Sequence, residues 1–152
     1  MRSFLPAACC LAWLASGPAG AATTVIDDSG TLPQNAGLAL HWQQPTPRGP
    51  NATLLVGTLA LRVHLNVLPW LHRMGRIYLS LPMQQPGPLR VTWTTQGRLL
   101  PGTVSSGSRT LVYAGPITTP FIEDNVQFTV AVDGRRVLQT YRVNFQFEMD
   151  QN

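Results

Sequence analysis

Apolar and polar residues alternate with a period of two along most of this chain. In residues 53–67 the odd positions from Leu55 onward are apolar apart from Gly57, and the even positions become polar from Arg62. Successive side chains of a β-strand point to opposite faces of its sheet, so this period predicts strands; the helical period is almost absent. Shorter alternating stretches lie at residues 38–42, 77–81, 89–93, 110–114 and 126–132, with a weaker candidate at 98–104.

Loops rich in Pro and Gly separate these stretches, notably at residues 44–51, 83–88 and 115–120. Seven to nine short strands divided in this way predict an all-β fold, an antiparallel β-sandwich of Ig-like or fimbrial type. The Cys-Trp-Cys pattern of antibody domains is missing. A glycine inside a strand often marks a bulge, so we expect a bend near Gly57. The first half of residues 53–67 is apolar enough to be buried on both faces.

The C-terminal part carries the clearest alternation. Residues 126–132 and 137–149 flank Asp133-Gly134-Arg135-Arg136, which predicts a β-hairpin with Gly134 at the first central position of a type II′ turn. A type I′ turn at Asp-Gly would keep the same faces. In this register Val132 faces Val137, Phe128 faces Tyr141 and Asp133 faces Arg136.

The first 22 residues have the features of a cleavable secretory signal. Arg2 precedes a short apolar run at residues 4–14, and small residues follow at 19–22. We therefore expect a signal peptide at 1–22 and one domain at 23–152, located in a bacterial periplasm, on the cell surface or secreted. Both cysteines, Cys9 and Cys10, fall within the signal, which leaves the domain without a disulfide. The apolar run is too short for a membrane span, and no later segment is long enough.

Composition argues against several function classes. Hydrophobic residues make up 44% of the chain and charged residues 12%, which is too apolar for a disordered protein. The net charge is +4, but the arginines are scattered and form no dense basic face. Nucleic-acid binding is therefore not expected.

Candidate catalytic and metal-binding groups do not form a recognisable pattern. The histidines show no short ligand spacing on one element, and the serines near residue 106 do not form a nucleophile elbow. The two adjacent carboxylate pairs fit turn chemistry and the polar start of a strand. We predict no catalytic, metal or cofactor residue and a protein that is not an enzyme. The histidines, serines and carboxylates considered in this way are His41, His64, His72, Ser105, Ser106, Ser108, Asp27, Asp28, Glu123 and Asp124.

Two regions are candidates for binding. Residues 68–76 combine Trp70, His72, Arg73 and Arg76 with flexible apolar groups, and Trp and Arg are favoured at interfaces. The interpretation that we favour is that Trp70, with Leu71 and Met74, plugs one end of the fold. Trp93 precedes the polar residues 94–97, which suits a sugar-stacking patch, but its phase with Leu89 and Val91 favours the core.

The last strand leads to the main functional hypothesis. An exported, cysteine-free all-β domain with an apolar final strand resembles, as a class, fimbrial subunits and other surface-assembly sandwiches. The resemblance implies a non-enzymatic envelope or surface protein that binds another envelope protein or a chaperone by β-strand addition. The edge would include Tyr141, Val143, Phe145, Phe147 and Met149. Residues 23–28 are too short and too acidic for a donated N-terminal strand. The alternative is a carbohydrate- or small-ligand-binding module that uses Trp70 or Trp93.

Overall fold

A computed structural model describes residues 22–33, 38–44, 49, 53–83, 89–136 and 143–151. Within them lie nine strands: β1 (Thr23–Val25), β2 (His41–Trp42), β3 (Leu54–Asn66), β4 (Met74–Leu81), β5 (Leu89–Thr95), β6 (Gly102–Ser105), β7 (Ser108–Pro116), β8 (Phe121–Asp133) and β9 (Gln146–Asp150). Short 3₁₀ turns occupy Leu68–Trp70 and Gly134–Arg136. None of the helices in these described ranges has the length and apolarity needed to cross a membrane.

The strands form two antiparallel sheets. The first has the order β1-β9-β4-β7, and the second has the order β2-β3-β8-β5-β6. Inward positions of both sheets form one buried cluster, which includes Ile77 and Met149 from the first sheet and Val63 and Val130 from the second. This sandwich-like arrangement confirms the all-β, antiparallel prediction and follows from the period-two pattern, because each strand offers one apolar face.

The long strands β3 and β8 pair over their full lengths, from Leu54 opposite Asp133 to Asn66 opposite Phe121, with no register shift. The bulge expected at Gly57 is therefore wrong. Gly57 is required for close approach instead, since a Cβ there would lie 2.7 Å from the Ala39 carbonyl oxygen. The first half of β3 is also only partly buried, because its outward positions Thr58 and Ala60 face solvent.

The predicted C-terminal hairpin is wrong. Strand β8 lies between β3 and β5, and β9 belongs to the other sheet. The chain turns at Gly134–Arg136, and Asp133 forms an ion pair with Arg135 (2.8 Å); the side chain of Arg136, predicted to face Asp133, lies outside what the structure describes. Alternation alone cannot distinguish a strand that returns beside its predecessor from one that crosses to the opposite sheet. The predicted partners Val137 and Tyr141 lie outside the described residues.

Candidate functional site

Strand β9 lies inside its sheet. It pairs with β4 on one edge and with β1 on the other, and its residues Phe147 and Met149 are buried. Neither edge of β9 is open at these two residues, so the edge predicted for the last strand is occupied in this structure. Val143 and Phe145 precede β9 and are partly buried against the core. Tyr141 lies outside the described residues.

The outer edge of β9 is covered by the start of the chain. Residues 22–33, here called the N-terminal segment, begin on β9 with Thr23 opposite Asp150 and Val25 opposite Glu148. The Ile26 amide then donates to the Phe147 carbonyl (2.8 Å). Thr23–Val25 thus forms a short strand within its own sheet, which does not bear on the prediction that residues 23–28 are unsuited to donation to a neighbouring subunit.

The same segment continues onto the second sheet. The Asn66 amide donates to the Asp27 carbonyl (2.9 Å), and Leu32 and Arg62 exchange two backbone hydrogen bonds (3.0 and 2.8 Å). The N-terminal segment therefore joins the outer edge of β9 to the part of the β3 edge, at Arg62 and Asn66, that β2 does not cover. It closes one open side between the two sheets.

The segment is held mainly through its backbone. All three residues of β1 are exposed, and Ile26, 2% exposed, supplies the one fully buried side chain of the segment. Asp28 is half-buried, and burial raises the pKa of its carboxyl. Asp27 differs, because hydrogen bonds from Ser29 lower the pKa of its carboxyl. Few buried apolar contacts are typical of segments that open easily.

His64 on β3 forms the surface on which the segment rests. The His64 amide donates to the Thr31 hydroxyl (3.1 Å), and Gly30 is so close that a Cβ would lie 2.5 Å from the imidazole. The ring packs against Phe121 at a tilt of 31°, with 4.7 Å between centroids, and its Nδ1 lies 2.7 Å from a Glu123 oxygen. That contact, with help from Arg62, lowers the pKa of the Glu123 carboxyl. His64 is thus partly enclosed.

A polar network on the outer face of the first sheet also fixes β1. The Thr23 hydroxyl donates to Asp150 (2.7 Å), and Arg109 from β7 reaches the same carboxylate. The Arg109 guanidinium also lies over the Tyr78 ring, with its Cζ 4.3 Å from the ring centroid. Arg76, one of the predicted binding residues, is the cross-strand partner of Asp150.

The other residues of the 68–76 region do not converge on this side. Trp70 is buried and Leu71 partly buried, so they pack at one end of the fold as predicted. Met74 is 65% exposed and takes no part in that plug. His72 and Arg73 are exposed, and His72 has a φ of 64°. Two backbone hydrogen bonds hold this turn: the His72 amide donates to the Ile117 carbonyl, and the Ile117 amide donates to the Arg73 carbonyl.

Trp93 is in the core, as its phase indicated. It is 2% exposed, and its indole nitrogen donates to the Leu100 carbonyl (2.9 Å). Because Trp70 and Trp93 are both buried, neither forms a sugar-stacking platform. The exposed tryptophan among the described residues is Trp42, at 53% exposure.

Asp124 has a structural role that its place in an adjacent carboxylate pair did not indicate. Its side chain faces the core at 5% exposure and accepts hydrogen bonds from the amides of Gln96 (3.1 Å) and Leu99 (2.9 Å). The signal was present, because Asp124 shares its parity with Ile122 and Val126, which are inward-facing residues of β8. A buried carboxylate must accept hydrogen bonds. The parity of Asp124 therefore implied that donors from another part of the chain lie beside it.

Across the described ranges, no group of three or more His, Cys, Asp or Glu residues is placed to hold a metal ion. Comparison of the chain with protein-family models, with curated proteins and with solved structures found no match, so its function is inferred from the geometry described above.

Proposed function

We propose that this chain is an exported, non-enzymatic envelope or surface protein that binds a partner by β-strand addition. Its two sheets would be those of an Ig-like, fimbrial-type sandwich. The acceptor site is the outer edge of β9, now covered by the N-terminal segment. One observation carries the proposal: β9 is buried at Phe147 and Met149, yet its outer edge is covered by a three-residue strand whose side chains are all exposed.

The N-terminal segment is a weak cover for this edge. Fully burying one Ile side chain contributes about 1.5–3 kcal/mol, and a backbone hydrogen bond adds a net contribution of about 1 kcal/mol. Against these gains stands the ordering of the segment, at about 1–2 kcal/mol per residue. The half-buried Asp28 carboxylate opposes docking further.

A better occupant follows from the same geometry. A strand in this position places alternate side chains between β9 and β3, where this chain supplies Ile26 and the acidic Asp28. A partner strand with apolar residues at both positions would make the same main-chain bonds and bury more apolar surface. We therefore propose that another envelope or surface protein, or a chaperone, donates an alternating apolar strand.

The expected signal cleavage near Ala22 supports this proposal. Cleavage there would leave the N-terminal segment at a free chain end, so the segment could leave the β9 edge without any other strand moving. The domain would then be periplasmic, surface-located or secreted, where such assemblies form. Chain ends with few buried contacts are the parts of a domain that detach most readily.

A disulfide lock tests the proposal. The Ile26 amide bonds the Phe147 carbonyl, so Val25 and Glu148 form the neighbouring non-hydrogen-bonded pair, whose side chains lie close. Val25→Cys with Glu148→Cys should form a disulfide in the exported protein. Fluorescent peptides of residues 22–33, native and with Asp28→Leu, then serve as donor strands. We expect the reduced protein to take up the Asp28→Leu peptide more strongly than the native one, and the oxidised protein to take up neither.

A matched lock provides the control. Thr92 and Thr103 are cross-strand partners at the far edge of the second sheet, and a cysteine pair there should leave peptide uptake unchanged. If neither peptide binds the reduced protein, or if both locks block uptake equally, strand addition at β9 is wrong. Uptake by the oxidised Val25–Glu148 variant would place any added strand at a different edge.

A further inference from the structure

A second feature lies on the outer face of the second sheet, away from the β9 edge. Here β3, β8 and the end of β5 line an open cavity of about 290 Å³. Its lining side chains form two rows across three strands: Ala60, Gln127 and Thr94 in one, and Arg62, Asn125 and Gln96 in the next. Ala60 is the smallest of the six and leaves space between its larger neighbours.

The four uncharged polar side chains of this cavity are not engaged elsewhere in the described residues. Among the described residues, no hydrogen bond is made by the side chains of Thr94, Gln96, Asn125 or Gln127. The amide groups and the hydroxyl each provide a donor and an acceptor. Four such groups therefore converge on one opening with their hydrogen-bonding capacity unused within the fold.

Charge narrows the class of ligand. The one cation of the lining, Arg62, is 3.3 Å from the Glu123 carboxylate, which already neutralises it, and no carboxylate lines the cavity. An anion would find no free positive charge, and a cation would find no acid. The uncharged lining offers both hydrogen-bond donors and acceptors. A neutral molecule with adjacent hydroxyl groups would complement it, because each hydroxyl can both donate and accept.

We propose that this cavity binds a neutral saccharide through Gln96, Asn125 and Gln127, with Thr94 and Arg62 at its margin. The volume is at the lower end of that of small-molecule sites and suits a single sugar ring. The opening to solvent leaves room for the ring to be part of a longer glycan. The site is distinct from the strand-addition edge, since Asn125 and Gln127 lie on β8 and Gln96 follows β5, whereas the N-terminal segment contacts β3 at Arg62 and His64.

Side-chain amide resonances provide a direct readout. The full exported chain is titrated with methyl glycosides of glucose, galactose, mannose and N-acetylglucosamine, with methyl sialoside as an anionic probe and glycerol as a nonspecific polyol. We expect saturable shifts of the Gln96, Asn125 and Gln127 side-chain amides with at least one neutral glycoside. Gln127→Ala or Asn125→Ala should weaken that binding about tenfold, the loss expected for one hydrogen bond.

Gln146→Ala is the matched control, because Gln146 is an exposed amide on β9 far from the cavity. It should leave the titration unchanged. The absence of saturable shifts with every neutral glycoside would overturn the proposal. Binding of the sialoside alone would assign the site to an anion at Arg62, and equal shifts with glycerol would show general hydration. Either result would also overturn it. Backbone spectra of each variant establish that it is folded before its titration is compared.

Discussion

Arg109 on β7 binds both carboxylate oxygens of Asp150 on β9, at 2.9 and 3.0 Å, although β4 lies between their two strands. The same carboxylate accepts the Thr23 hydroxyl of β1 at 2.7 Å. Asp150 thus connects the edge strand that covers β9 to the opposite edge of the sheet. Hydrogen bonding from Arg109 lowers the pKa of the Asp150 carboxyl.

Breaking this pair should loosen β1 together with the sheet. Arg109 is partly exposed, so we expect Arg109→Ala and Asp150→Asn each to lower the free energy of unfolding by about 1 kcal/mol. The double variant should cost less than the sum of the two, as measured by urea unfolding in a double-mutant cycle. Additive effects would show that the two side chains do not interact in solution.

The pair also implies an acid dependence. Because the pKa of Asp150 is lowered in the folded state, its contribution is complete above about pH 4 and is lost as pH falls through that lowered pKa. Asp150→Asn should therefore flatten the decline in stability below about pH 4 relative to the wild type. Parallel curves for the two proteins would contradict this assignment.

Asp124 should be the most sensitive acidic residue. Asp124→Ala removes the acceptor of the Leu99 amide (2.9 Å) and leaves a buried donor unpaired, which should cost about 2–4 kcal/mol. Asp124→Asn keeps one carbonyl acceptor and should cost less. Glu123→Ala, at an exposed neighbouring position, is the control, and urea unfolding gives all three values. Equal losses for Asp124→Ala and Glu123→Ala would disprove the capping role.

Asp27 and Asp28 should affect the N-terminal segment in opposite directions. Burial raises the pKa of the Asp28 carboxyl, which means that burying the ionised carboxylate opposes docking of the segment, and Asp28→Asn should increase hydrogen-exchange protection of the Ile26 and Leu32 amides. That gain should shrink as acidification protonates the wild-type carboxyl. Asp27→Asn weakens the acceptor of the Ser29 amide (3.0 Å) and should reduce protection. Changes of the same sign in both variants would contradict this account.

Tryptophan exposure distinguishes the described arrangement from an aromatic ligand platform. Trp70 and Trp93 are 7% and 2% exposed, whereas Trp42 is 53% exposed. Acrylamide should therefore quench mainly Trp42 in a protein that lacks residues 1–22, and Trp42→Phe should remove most of the quenchable emission. Strong quenching that persists in Trp42→Phe would place Trp70 or Trp93 at the surface.

The strands themselves could be predicted because alternation is a local property of neighbouring residues. Phe128 and Val130 were assigned to an inward face, and they are buried. Trp93 could be assigned to the core for the same reason. Asp124 could also have been recognised from its parity, because a charged residue in phase with a buried apolar face needs hydrogen-bond donors.

By itself, the sequence determined the β class, the faces of the strands and the absence of cysteine outside the first 22 residues, since each depends on residue type and a period of two. Only the tertiary structure decided which strands are neighbours. It placed β9 beside β1 and β4 rather than beside β8, and it brought Asn125 and Gln127 next to Gln96. The reason is physical: an alternating strand buries the same face whether it returns beside its predecessor or crosses to the opposite sheet.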